Sequence, residues 1–95
     1  MSTSILDEAM HATAGDRRRD YDRASANHQR IAGVWNWYIS ARPDPLAPLT
    51  PLDCAQMMIL LKIARSAHHP KRDNFVDIAG YAKCASQICG YEPEE

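Results

Sequence analysis

Glycine is scarce, cysteine scarcer, and no apolar run is long enough to cross a membrane. Four glycines in 95 residues leave no glycine-rich phosphate loop, and no low-complexity tract or internal repeat is present. Three cysteines, Cys54, Cys84 and Cys89, make neither an even disulfide framework nor a metal-ligand spacing, so they read as small buried hydrophobes in a reducing cytosol. The first residues carry no cationic segment followed by an apolar one, and a soluble, cytoplasmic protein with no membrane partner is expected. An excess of one charge is missing too: a net charge of −1 supplies no field for duplex nucleic acid or an anionic membrane. Local runs remain, Arg17 to Arg19 and the closing Glu92, Glu94 and Glu95, and they read as solvated faces.

What is present is apolar and periodic. A hydrophobic fraction of 45% in 95 residues implies one domain over 1–95 with an acidic tail at 91–95. At this size only roughly 60% of the unfolded chain's surface can be buried, which makes association a natural remedy for a marginal monomer.

The spacing predicts an all-α chain, a compact four-helix bundle without strands. Ser4 and Asp7 resemble a capping box ahead of a short first helix that Gly15 stops, and Tyr21 reads as the inward-turned aromatic of a charged loop. A second helix runs from about residues 22–25 to a point before Pro43, with Ala24, His28, Ile31, Trp35, Tyr38 and Ile39 on its apolar stripe and His28 a hydrogen-bonded core residue. The third helix has Thr50 as cap, Pro51 at its first position and Asp53 completing a capping box. From Met57 to Leu61 it is apolar all round, the mark of a central helix. A linker over 66–72 precedes a fourth helix capped by Asp73 or Asn74, whose two apolar faces imply two neighbours and whose Gly80 would permit a close backbone approach.

Charges on the last two helices carry the functional reading. Lys62 follows a wholly apolar run, and a buried ammonium needs a partner. Asp77, set among Val76, Ile78 and Gly80, is that partner, or a phosphate is. Lys62, Arg65 and Arg72 are the candidate phosphate-binding cations. Asp73 and Asp77, four apart, share a helical face, and with Asp53 they are the candidate ligands of a magnesium ion if a metal takes part. Trp37, off the main aromatic stripe, and Tyr81 are the candidate base-stacking residues. His68 and His69 lack matching ligands for zinc.

The segments Tyr21 to Ala32 (YDRASANHQRIA), Trp35 to Tyr38, Leu49 to Arg65 (LTPLDCAQMMILLKIAR) and Asp73 to Ala82 (DNFVDIAGYA) resemble the small MazG-like proteins of phages and prophages, over most of residues 4–89. That all-α group is related to nucleoside triphosphate pyrophosphohydrolases, in which a glutamate-rich helix and a later Glu-x-x-Asp motif hold magnesium on the triphosphate. The later motif falls on Asn74 to Asp77: Asp77 matches and Asn74 replaces the glutamate. The earlier cluster has no counterpart, since the third helix offers Asp53, Gln56 and then Lys62, whose ammonium would compete with a metal for Asp77.

Three functions follow as expectations. The first is a phage-type protein that binds a linear or cyclic nucleotide through Lys62, Arg65 and Arg72, sequestering a nucleotide or a nucleotide signal. The second is a magnesium-dependent pyrophosphohydrolase, whose catalytic residues the sequence does not identify. The third is a helical bundle serving only interaction. A homo-oligomer, a dimer or a dimer of dimers through the second and fourth helices, is expected in each.

Overall fold

A computed structural model describes residues 4–13 and 23–94. The Gly15 stop, the run from Arg17 to Arg19, Tyr21 and Glu95 lie outside them. Among the described residues the chain is all-α, with four helices: α1 Ile5–Thr13, α2 Ala24–Ala41, α3 Pro51–His68 and α4 Arg72–Ile88.

Each boundary has a local cause. Ser4 Oγ accepts from the Asp7 N–H at 3.1 Å and caps α1. Arg42 leaves α2 in an extended conformation (φ −68°, ψ 153°), as the residue before a proline must. At the start of α3 the Asp53 N–H donates to Thr50 Oγ1 at 3.2 Å, and the Thr50 N–H donates back to Asp53 Oδ2 at 2.8 Å, with Pro51 at the first position. α4 closes in a Schellman motif around Gly90, whose φ of 83° favours glycine: the Tyr91 N–H reaches Ser86 O at 2.9 Å and the Gly90 N–H reaches Gln87 O at 3.0 Å.

α3 packs against both α2 and α4, as its apolar character foretold. Trp35 fixes the first contact by donating its indole N–H across to the Met57 carbonyl at 2.8 Å. Among the described residues the core is thin: Ile31, Ala55, Met57 and Ala64 are its buried apolar residues, and no large side chain is fully enclosed.

Several expectations are corrected. The described part of α1 is not packed into a compact bundle, since Ile5, Leu6 and Met10 are all exposed. α3 is not surrounded: Ile59, Leu60 and Leu61 are half-buried and Ile63 is exposed. Cys54, Cys84 and Cys89 are exposed thiols rather than core residues. His28 is exposed as well, its Nδ1 2.7 Å from Ala24 O, because the buried stripe of α2 begins one position earlier, at Asn27. α3 runs on to His68, shortening the linker, and α4 starts at Arg72 after Lys71, which makes no side-chain cap, so neither Asp73 nor Asn74 caps it. Phe75 and Val76 are exposed, and a Cβ on Gly80 would meet nothing within 4 Å, so one face of α4 has no neighbour among the described residues of a single chain.

Candidate functional site

The turn from α2 into α3 is tied by a polar chain that starts at Arg42. Its guanidinium donates to the carbonyls of Pro45 (3.1 Å), Ala47 (2.7 Å) and Pro48 (3.3 Å), which gathers the proline-rich connection, and pairs with Asp53 Oδ2 at 3.1 Å. Asp53 is spent entirely on structure. Oδ2 also accepts from the Thr50 N–H and hydroxyl, and Oδ1 accepts from the Tyr38 phenol at 2.7 Å. The Tyr38 hydrogen bond first, and the Thr50 N–H second, hold its carboxyl down at about 2. Burial first, and the Asp53 hydrogen bond next, push the Tyr38 phenol up. The phenol in turn accepts from Gln56 Nε2 at 2.7 Å.

That chain ends at a cleft of about 280 Å³ between α2 and α3, lined by Trp37, Tyr38, Gln56, Ile59 and Leu60. Its lining combines the Trp37 and Tyr38 aromatics, aliphatic Ile59 and Leu60, and the Gln56 side chain. Trp37 is 62% exposed, which leaves its indole accessible to a planar guest. The other stacking candidate, Tyr81, is half-buried on α4 and does not line this cleft.

Lys62 lies one turn beyond Ile59, about 4.5 Å further along the α3 axis. Its ammonium meets Asp77 Oδ2 at 2.8 Å, joining α3 to α4. The two partners differ in surroundings: the lysine side chain is 15% exposed and the aspartate 44%. Arg65 is three residues on and therefore adjacent to Lys62, yet nine positions from Gln56 it projects from the opposite side of α3. Arg72 is exposed at the first position of α4, followed by exposed Asp73. Lys62 thus follows the cleft residue Ile59 by three positions, while its ammonium, like Arg65 and Arg72, belongs to the α3–α4 side.

The residues do not fit a magnesium site of the kind the resemblance implies. Asp53 accepts three donors on Oδ2 and Tyr38 on Oδ1, an ammonium sits on Asp77, and no group of three histidine, cysteine or acidic side chains able to hold a metal occurs among the described residues. Asn74, in the place of the motif's glutamate, is buried, and its side-chain amide faces His69 O at 3.4 Å.

Sequence reasoning misses the parts played by Trp35, Arg42 and Gln56, and it places Tyr38 in the core. Only the Thr50–Asp53 box signals this corner in advance; Arg42 and Gln56 come together with it through the path of the proline loop.

An all-α chain with a capped central helix and a shallow apolar cleft is a fold class rather than a function. Residues 4–89 match DUF6378, a domain of unknown function, and the chain belongs to that family. It is 37% identical over 91 residues to the Gene 55 protein of Mycobacterium phage D29, covering 93% of this chain and 55% of the relative. Against the Gene 55 protein of Mycobacterium phage L5 it is 46% identical over 82 residues, covering 83% of this chain and 48% of the relative. Its kin are therefore phage proteins, and the chain spans about half the length of the curated relatives it matches. No solved structure matches it. No described helix is long and apolar enough to cross a membrane.

Proposed function

We propose that this chain is a phage nucleotide-binding protein with a MazG-like arrangement of helices, acting in the host cytoplasm. The carrying observation is the cleft lined by Trp37, with Lys62 three residues beyond its lining residue Ile59 on α3. A base stacked on Trp37 directs its phosphates along α3 past Ile59, where the Lys62 ammonium, mostly withdrawn from water, meets them. Asp77 holds that lysine in place while no anion is bound, and being the more exposed partner it is the one that water can take over. Arg65 and Arg72 extend the positive edge on the α3–α4 side for the far end of a longer ligand. Such a protein sequesters a nucleotide or a nucleotide signal rather than cleaving it. The pyrophosphohydrolase alternative lacks comparable support, because Asp53 and Asp77, two of the three carboxylates it would use, are committed elsewhere.

The test is a thermal-shift panel of the four nucleoside triphosphates and two cyclic dinucleotides. A ligand at 100 times its Kd stabilises by about 2.7 kcal/mol, an easily read rise in Tm. The rise should vanish in Trp37→Ala and shrink in Lys62→Ala; a panel without any shift removes the proposal, and release of pyrophosphate would favour the enzyme.

Exposed Phe75 and Val76 on α4 favour a second role alongside the first, self-association, expected through α2 and α4. Sedimentation at micromolar concentration should give a dimer or a dimer of dimers, and a 10.7 kDa monomer would count against it.

A further inference from the structure

The polar chain that ends at the cleft fixes which atom of Gln56 is left for a ligand. Asp53 is ionised and can only accept, so the single phenolic hydrogen of Tyr38 is committed to Oδ1 at 2.7 Å. Tyr38 then has lone pairs alone to offer its other neighbour. The 2.7 Å contact with Gln56 must therefore be a donation from Nε2, and of the two orientations of the carboxamide only one satisfies the chain. Arg42 holds Asp53 from the other side at 3.1 Å, so the direction of every bond is set from the proline loop inward. With Nε2 turned to Tyr38, Oε1 accepts no hydrogen bond among the described residues, and it belongs to a side chain that lines the cleft.

The remaining surfaces select the guest. Trp37 supplies an exposed indole, Ile59 and Leu60 aliphatic lining, and the volume of about 280 Å³ lies at the small end of ligand cavities, suited to a ring system rather than a peptide. A plain hydrocarbon ring would leave Oε1 unsatisfied on closing off water, a cost that a ring with an N–H on its edge avoids.

We propose that Gln56 determines specificity in this cleft, its Oε1 accepting from an N–H on the edge of a nucleobase stacked on Trp37, with Tyr38 and Asp53 as positioning residues that hold the carboxamide in its accepting orientation. This rests on the nucleotide-binding reading and names the group that reads the base.

The experiment is calorimetric titration of the full chain with each nucleoside triphosphate and with its analogue methylated at the edge nitrogen: N1-methyl-GTP, N3-methyl-UTP, N6,N6-dimethyl-ATP and N4,N4-dimethyl-CTP. For whichever base binds, methylation should weaken affinity by about tenfold or more. Gln56→Leu, close in size and without the acceptor, should bind the two members of the pair alike, and Tyr38→Phe should narrow the gap between them. Independently of ligand, Tyr38→Phe should move the side-chain amide resonances of Gln56 in a 15N spectrum. A gap that persists unchanged in Gln56→Leu overturns the assignment of Gln56 while leaving nucleotide binding intact; resonances unmoved by Tyr38→Phe overturn the positioning role. If no nucleotide binds the unaltered chain, the nucleotide reading itself falls.

Discussion

Asp53 and Asp77 are both aspartates on helices, each paired with a cation, and they sit in opposite chemical situations. Asp53 is buried at the junction of α2, the proline loop and α3, where Arg42, Thr50 and Tyr38 donate to its oxygens. Asp77 is 44% exposed on its side chain and meets one lysine at 2.8 Å. The first pair defines the corner that shapes the cleft, since leaving any of its donors unmatched costs a desolvated polar group. The second is exchangeable, because water can replace the partner of a half-exposed carboxylate and an anion can then approach Lys62. A carboxylate already spent on donors is a poor metal ligand and a good structural anchor.

The sharpest way to break this contrast is Asp53→Asn. The amide would have to set its hydrogens against either the Arg42 and Thr50 donors or the Tyr38 hydroxyl, and would leave Arg42 without its counter-charge, so this variant should show a larger fall in Tm, measured by circular dichroism, than a substitution at Thr50, Lys62 or Trp37. Its acid behaviour should differ as well. The folded carboxyl sits at about 2 against an ordinary 3.8, so its contribution is complete above about pH 4 and is lost as the pH falls toward 2. The acid unfolding curve of Asp53→Asn should lack that component, and an unchanged profile would contradict the anchoring role. Thr50→Ala removes one side of the same box and should cost about 1 kcal/mol in urea unfolding. On the other side of the comparison, Lys62→Met should change stability by less than about 1 kcal/mol, given the exposure of its partner, while lowering nucleotide affinity. Smallest of all, Trp37→Ala should leave stability within about 0.5 kcal/mol, as befits a residue 62% exposed, and abolish binding.

The same contrast explains what can be read from residues alone. The Thr50–Pro51–Asp53 start of α3 is legible because a capping box is local, and the pairing of Lys62 with Asp77 is legible because an ammonium after an apolar run requires a neutralising group. Asp53 passes for a metal candidate in the sequence, since nothing local shows that Arg42 and Tyr38, 11 and 15 residues away, converge on it. Gln56 escapes notice for the same reason: its orientation depends on a phenol in another helix. The buried status expected for the cysteines, and the enclosure expected for α3, come from counting apolar positions as though neighbours existed on every side. In a single chain, α3 has α2 and α4 against it and an open edge along Ile63.

Tryptophan fluorescence during nucleotide titration tests the central claim most directly, because Trp37 stands in the cleft while Trp35 is occupied with the Met57 carbonyl. Saturable quenching by at least one nucleotide, absent in Trp37→Phe at equal thermal stability, is the predicted result. Emission that no nucleotide alters, or quenching that survives intact in Trp37→Phe, would contradict it.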